Sequence, residues 1–291
     1  MPTALAAVAA GLAALLYFSG CVPIAKDAII AGDADDHEIQ RQVVACSPDL
    51  ELAGARVHQD SIDPDGFSVL SWNSHRGSHR DWQSDLVTIA RDADIILLQE
   101  ASIEPVRDAR IDLSANQWLM ATAFEFEEHD IGILSAARVT PDAYCVSREP
   151  EPLLRIPKVG LAATYALTGT DTTLLVVNIH MVNFTLSADA LERQFDSLEA
   201  VITGHHGPVI IAGDFNTWSD GREAAVQSRM KELHMTPVIF EPDHRVRFLN
   251  HPVDGIYFRG LEVTASRSHT VSSSDHNPLE AHFRLSGHNG A

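Results

Sequence analysis

Val209-Ile210-Ile211-Ala212-Gly213-Asp214-Phe215-Asn216 is the stretch from which this chain is best read. Four apolar residues, three of them β-branched, make a buried strand. Gly213 lets the backbone deliver Asp214 and Asn216 at the strand's end without steric conflict. Side chains alternate along an extended segment, so Asp214 and Asn216 share one face while Phe215 points to the other. An acid and an amide placed together on a rigid element are a candidate site.

The same pattern recurs on either side. Leu174-Leu175-Val176-Val177-Asn178-Ile179-His180 is apolar and β-branched and closes on a histidine, and Ile95-Ile96-Leu97-Leu98-Gln99-Glu100 closes on an acid. Gly66 to Asn73 alternates Phe67 and Val69 against Leu70 and Trp72 and ends in Asn73, followed by a loop, Ser74-His75-Arg76-Gly77. Downstream, Asp254 opens a strand through Ile256, Tyr257 and Phe258. Asp275-His276-Asn277-Pro278 leads into Leu279, Ala281, Phe283 and Leu285, which alternate with Glu280, His282 and Arg284 as a half-buried last strand does. Helical spacing is found at Leu86, Ile89, Ala90 and Ala93, at Leu191, Phe195, Leu198 and Ile202 with Ser187 as the cap, and around Arg222 to His234. Residues 101 to 160 carry fewer signals: Gly132 to Ser135 reads as a short strand, and Pro150, Pro152 and Pro157 mark loop.

The 291 residues are 45% hydrophobic, enough for a sizeable core, and show neither an internal repeat nor a second composition regime. A formal charge of −19 disfavours nonspecific attraction to nucleic acid or anionic lipid through a broad basic field, without excluding a phosphate substrate. Only Lys26, Lys158 and Lys231 are lysine, so phosphate contacts fall mostly to arginine.

Residues 4 to 18 are almost wholly apolar and run into Ser19-Gly20-Cys21. The stretch resembles a bacterial lipoprotein signal with Cys21 as the lipidated mature terminus; a retained membrane anchor is the alternative, and both export the protein to the periplasmic side of a bacterial membrane. Three segments follow from this reading: 1–21 as signal or anchor, 22–61 as an acidic, irregular tether, and 62–287 as one domain. With Cys21 lipidated, Cys46 and Cys145 remain as an even pair, either bridged or left as two buried thiols.

Six short motifs, in order, resemble the endonuclease/exonuclease/phosphatase superfamily: Trp72-Asn73, Gln99-Glu100, Asn178-Ile179-His180, Gly213-Asp214-Phe215-Asn216, Asp254-Gly255-Ile256 and Ser274-Asp275-His276-Asn277-Pro278. They span Phe67 to Leu285. The resemblance implies an α+β fold, a four-layer αββα sandwich with two central, mostly antiparallel sheets and the site at one rim.

It also implies roles. Glu100 matches the principal metal carboxylate, with Asn73 helping to hold the metal or its phosphate and Asp275 near the same centre; these hard oxygen donors suit Mg²⁺ or Mn²⁺, as one ion or two. Asp214 matches the residue that orients or deprotonates the attacking water, and Asn216 a donor to the phosphoryl oxygens. His276 matches the histidine that activates water or stabilises the pentacovalent phosphate, with Asp254 holding its imidazole in one tautomer. His180 matches a further histidine that contacts the phosphate or assists the leaving oxygen, and the sequence offers no acid to orient it. The loop carrying His75 and Arg76 resembles a bacterial branch of the family and supplies substrate contacts, Arg76 as a bidentate phosphate ligand. Gly255 follows Asp254, and neither the Trp/Arg-bearing signature of abasic-site endonucleases nor the arginine of inositol phosphatases is present there.

The expectation is an exported, divalent-metal-dependent phosphodiesterase acting by in-line attack of water. A nuclease comes first. Cleavage of phospholipid or sphingomyelin-type head groups, or phosphomonoester hydrolysis, comes second, and a catalytically silent anchored binding module third. The partners are then a phosphoester substrate and, through the N-terminus, the membrane; no protein partner is inferred.

Overall fold

The computed structural model describes residues 29–33, 40–42, 44–46, 60–102, 117–126, 129–152, 155–183 and 189–287. Expectations for residues 1–25, Cys21 among them, and for the Ser187 cap lie outside these residues.

In chain order the strands are β1 (Ile29–Asp33), β2 (Gln40–Gln42), β3 (Phe67–Asn73), β4 (Ile95–Ser102), β5 (Gln117–Phe126), β6 (His129–Ala137), β7 (Ala143–Pro150), β8 (Pro157–Ala166), β9 (Thr173–His180), β10 (Val209–Asp214), β11 (Thr236–Pro237), β12 (Arg247–Phe248), β13 (His251–Pro252), β14 (Asp254–Arg259), β15 (Leu261–Ser268) and β16 (Leu279–Leu285). Among the described residues the helices are α1 (Trp82–Ile89), α2 (Asp189–Gly204) and α3 (Asp220–Glu232), with a 3-10 turn at His75–Gly77. One large sheet has eight strands in the order β15-β16-β3-β4-β6-β5-β1-β2, a second has six in the order β11-β14-β10-β9-β8-β7, and β12 and β13 form a separate two-stranded pair. Most pairs are antiparallel. The parallel ones, β3 with β4 and β9 with β10, are each bridged by a helix, α1 and α2.

Alternation along the strands builds the layers. Phe67 and Val69 of β3, Ile95 and Leu97 of β4, and Ile210 and Ala212 of β10 face the core between the sheets. Leu70 and Trp72, with Ile96 and Leu98, turn outward onto Trp82 and Leu86 of α1. Val209 and Ile211 turn outward onto Leu191, Phe195 and Leu198 of α2 and Val226 of α3. Helix, sheet, sheet and helix therefore stack as four layers, and Asp214 follows Ile210 and Ala212 to the inner face at one rim.

Two details correct the sequence reading. Ile29–Asp33 pairs antiparallel with β5 and Gln40–Gln42 pairs with β1, so part of the expected irregular tether extends the larger sheet. These strands are short, and β5 supplies a pairing that no local periodicity announces. Pro150 and Pro157, read as loop markers, pair with each other as the last bridge of the β7–β8 hairpin. Cys46 and Cys145 form a disulfide across 99 positions with Cα atoms 4.9 Å apart, which ties the segment to β7.

Candidate active site

Ladder register sets the site. At the ends of three neighbouring strands His180, Asp214 and Asp254 are Cα partners, His180 with Asp214 and Asp214 with Asp254. Gly213 makes this alignment possible, because its φ of +146° favours glycine and a Cβ there would lie 1.9 Å from the Ile179 carbonyl oxygen. Across the gap between sheets, Asn73 closes β3 beside Gln99 of β4. Asn73 Nδ2 donates to Asp214 Oδ2 at 3.1 Å, and the Asn216 backbone N–H donates to Asp214 Oδ1 at 2.9 Å. Gln99 Nε2 donates to Asn178 Oδ1 at 2.7 Å, and Asn178 Nδ2 donates to the Leu134 carbonyl at 2.9 Å. These buried amides join the two sheets beneath the rim, where an unpartnered polar group is costly.

Glu100 arrives by a different device. Strict alternation after Leu98 sends it to the outer face, but the β4–β6 ladder slips by one residue between Leu98 and Ala101. That bulge, with Glu100 at φ +49°, re-aims its carboxylate to the rim, where Oε1 stands 4.0 Å from His180 Nε2.

His276 Nδ1 lies 3.0 and 2.8 Å from the two Asp254 oxygens, which turns Nε2 toward Asp214 Oδ2 at 3.9 Å. Its loop is strapped down: Ser274 Oγ donates to the Asn73 carbonyl at 2.8 Å, and Trp72 Nε1 donates to the His276 carbonyl at 3.0 Å. Burial works against a charge on this imidazole, but the Asp254 carboxylate, with Asp214 and Asp275, outweighs it and holds the group up to about 10. Burial raises Asp214 to about 6, opposed by the charge of His276.

His180 sits on the other side of Asp214, its Nε2 3.5 Å from Oδ2, yet its closest partner is the Lys158 ammonium at 2.8 Å. An ammonium only donates, so Nε2 accepts and the ring proton stays on Nδ1. Burial, then the Lys158 and His276 charges, hold His180 well below the usual histidine range. Where the family pattern leads one to expect an orienting acid, the closest group is therefore a cation. Behind it, Glu151 Oε1 is 4.0 Å from Lys158 Nζ and accepts the Asn183 N–H at 2.8 Å; burial raises its pKa. Sequence reasoning missed Lys158 and Glu151, although the scarcity of lysine marked Lys158 as unusual.

The remaining expected residues lie at the edge. Asp275 Oδ1 is 3.1 Å from His75 Nδ1, both side chains well exposed, and the His75 N–H donates to Asn73 Oδ1 at 3.1 Å. His75, Arg76, Glu100, Glu151, Lys158 and His180 share a cavity of about 400 Å³ with an apolar wall that includes Phe124 and Ile131. A larger hollow of about 620 Å³ meets the site only behind the dyad, at Asp254.

Carboxylate and amide oxygens, the donor types at this rim, are those a hard divalent cation takes. Among the described residues, ligating atoms of Asp214, Asp254 and His276 lie within 4.8 Å of one another, but both Asp254 oxygens are taken by His276. That trio is better described as a hydrogen-bonded His276–Asp254 dyad with the Asp214 carboxylate 3.9 Å from its free nitrogen. Glu100, with a third of its side chain open, stands at the same rim beside His180.

The sequence matches the model of the Endonuclease/Exonuclease/phosphatase family over residues 70–276: the chain belongs to that family. A UPF0294 protein of Vibrio parahaemolyticus is 33% identical over 245 residues, covering 81% of this chain and 83% of that protein. Among solved structures, an endonuclease/exonuclease/phosphatase from Beutenbergia cavernae superposes with a TM-score of 0.62 at 19% identity, covering 77% of this chain and 72% of that one. ANGEL2, described as a 2′,3′-cyclic phosphatase and solved with adenosine-2′,3′-vanadate, gives a TM-score of 0.58 at 17% identity, covering 78% and 97%. The fold is the α+β, two-sheet sandwich of this superfamily, whose members are hydrolytic phosphoesterases.

Proposed function

We propose that the protein is a divalent-metal-dependent phosphodiesterase acting on nucleic acid or a nucleotide-like phosphoester. The observation that carries this reading is one carboxylate, Asp214, held by Asn73 and the Asn216 backbone, with His180 Nε2 at 3.5 Å and His276 Nε2 at 3.9 Å. Water attacks phosphorus as the ester bond breaks with its electron pair moving to the leaving oxygen. Asp214 takes the water's proton, and the leaving oxygen takes one from solvent and departs as an alcohol. His276, oriented by Asp254, faces the phosphoryl group. Glu100, Asn73 and Asp275 would hold the cation, which when bound neutralises charge on the phosphoryl oxygens. ANGEL2's nucleoside vanadate favours a nucleotide-like substrate over a lipid head group.

The test is a panel of single-stranded nucleic acid, phospholipid and bis(p-nitrophenyl) phosphate with Mg²⁺ or Mn²⁺, run beside Glu100→Ala. Metal-dependent turnover of the nucleic acid and the generic diester, lost in the variant, is expected. Silence on every substrate, or an unchanged Glu100→Ala, overturns the reading.

Export remains part of the proposal. The Cys46–Cys145 disulfide favours an oxidising compartment, and attachment through lipid on Cys21 is proposed for the N-terminus. Among the described residues no helix is long and apolar enough to cross a membrane. Mass spectrometry of the mature N-terminus tests the attachment: a peptide intact across Gly20 and Cys21 refutes it.

A further inference from the structure

The β7–β8 hairpin end contributes a cation that the motif set does not contain. Lys158 is the second residue of β8, paired in register with Glu149, and Glu151 directly follows β7, so it lies diagonally beyond the closing Pro150–Pro157 pair with Oε1 4.0 Å from the ammonium. The Glu151 side chain is 2% exposed and that of Lys158 18%, and the ammonium reaches past its partner to His180 Nε2 at 2.8 Å. The same ammonium lines the cavity that holds Glu100, Arg76 and His75. While it bonds to Nε2, His180 neither carries a charge nor donates from that nitrogen, so Nε2 has nothing to offer a phosphate oxygen. The group able to do so at this position is the lysine.

We propose that Lys158 is a substrate-contacting residue that binds a phosphoryl oxygen on the His180 side of the site, with Glu151 as its positioning residue. This rests on the phosphoesterase reading for the identity of the anion. A phosphate entering the cavity meets a fixed ammonium, which exchanges or shares its bond to His180 for one to the anion. Glu151, anchored by the Asn183 N–H, keeps the stem aimed while this happens. The other reading is that Lys158 only neutralises a buried acid.

Removing both charges separates the two readings. Lys158→Met, Lys158→Arg and the double variant Lys158→Met/Glu151→Gln are compared with the full chain by phosphorus NMR titration with inorganic phosphate after metal chelation, and by kcat and KM on bis(p-nitrophenyl) phosphate with metal. Lys158→Met is expected to weaken phosphate binding about ten- to a hundredfold, as for a lost hydrogen bond to a charged group, with KM rising more than kcat falls. Arginine is expected to restore part of the binding. The double variant is expected to recover thermal stability but not phosphate affinity. In nitrogen NMR, His180 is expected to show the Nδ1–H tautomer and to lose that bias in Lys158→Met. Wild-type affinity retained in Lys158→Met, recovery of binding in the double variant, or no phosphate binding by the wild type overturns the proposal. Because the phosphate titration needs no turnover, an inactive wild type defeats the phosphodiesterase reading separately.

Discussion

His276 and His180 flank the same carboxylate at 3.9 and 3.5 Å, yet one is held by an acid and the other by an ammonium. Asp254 keeps the first imidazole charged, while burial and Lys158 keep the second neutral. The difference teaches that a family motif fixes where a histidine stands, whereas its neighbours decide what it can do. The neighbour of His276 is its Asp254 partner across the dyad. The neighbour of His180 comes from a hairpin 22 positions away, outside every motif.

The comparison is broken most severely by parting His180 from the carboxylate it shares with His276. Gly213→Ala places a methyl group 1.9 Å from the Ile179 oxygen at a φ of +146°, so β9 and β10 must part. A loss of about 3 kcal/mol or more in denaturant unfolding is expected, together with loss of activity. A smaller, one-sided effect comes from Asp254→Asn, which removes the acid but keeps the shape. A histidine with a raised pKa lends stability that is fully present below about 6.5 and lost as pH rises through about 10. In chelated protein the variant is therefore expected to be about 1–3 kcal/mol less stable at pH 6, with the gap shrinking as pH rises through about 10. A constant gap contradicts the assignment of charge to His276.

The smallest effect is expected at Asp243. The Arg245 hydrogen bond, first among its partners, holds this carboxyl down to about 2, and Arg245 also reaches the Asp254 carbonyl at 3.4 Å. Its contribution is present above the unfolded carboxylate value and vanishes as pH falls through about 2. Asp243→Asn is thus expected to change the acid-unfolding curve only slightly, and in that range, without altering the histidine states.

How much of this was legible in the chain follows from locality. The strands that carry Asn73, Glu100, His180 and Asp214 announce themselves because each has a short apolar run followed by a polar group. The apolar face Leu191, Phe195, Leu198 and Ile202 falls on α2, and Arg222 falls within α3, where a 3.6-residue period suffices. The Glu100 carboxylate reaches the rim only through a bulge, which depends on the partner strand's register rather than on its own run. Likewise β1 and β2 exist because β5 offers an edge, and the Lys158–His180 contact exists because β7, β8 and β9 pair in one register. Such contacts belong to the tertiary fold and leave no periodic trace.

The proposed function gives Asp214, set between two imidazoles, the role of proton acceptor in phosphodiester hydrolysis. The most direct measurement is the rate of bis(p-nitrophenyl) phosphate hydrolysis with saturating Mg²⁺ or Mn²⁺ for the wild type and for His276→Ala. The account predicts turnover by the wild type and a fall of about 10²–10⁴-fold in the variant; equal rates in the two proteins would contradict it.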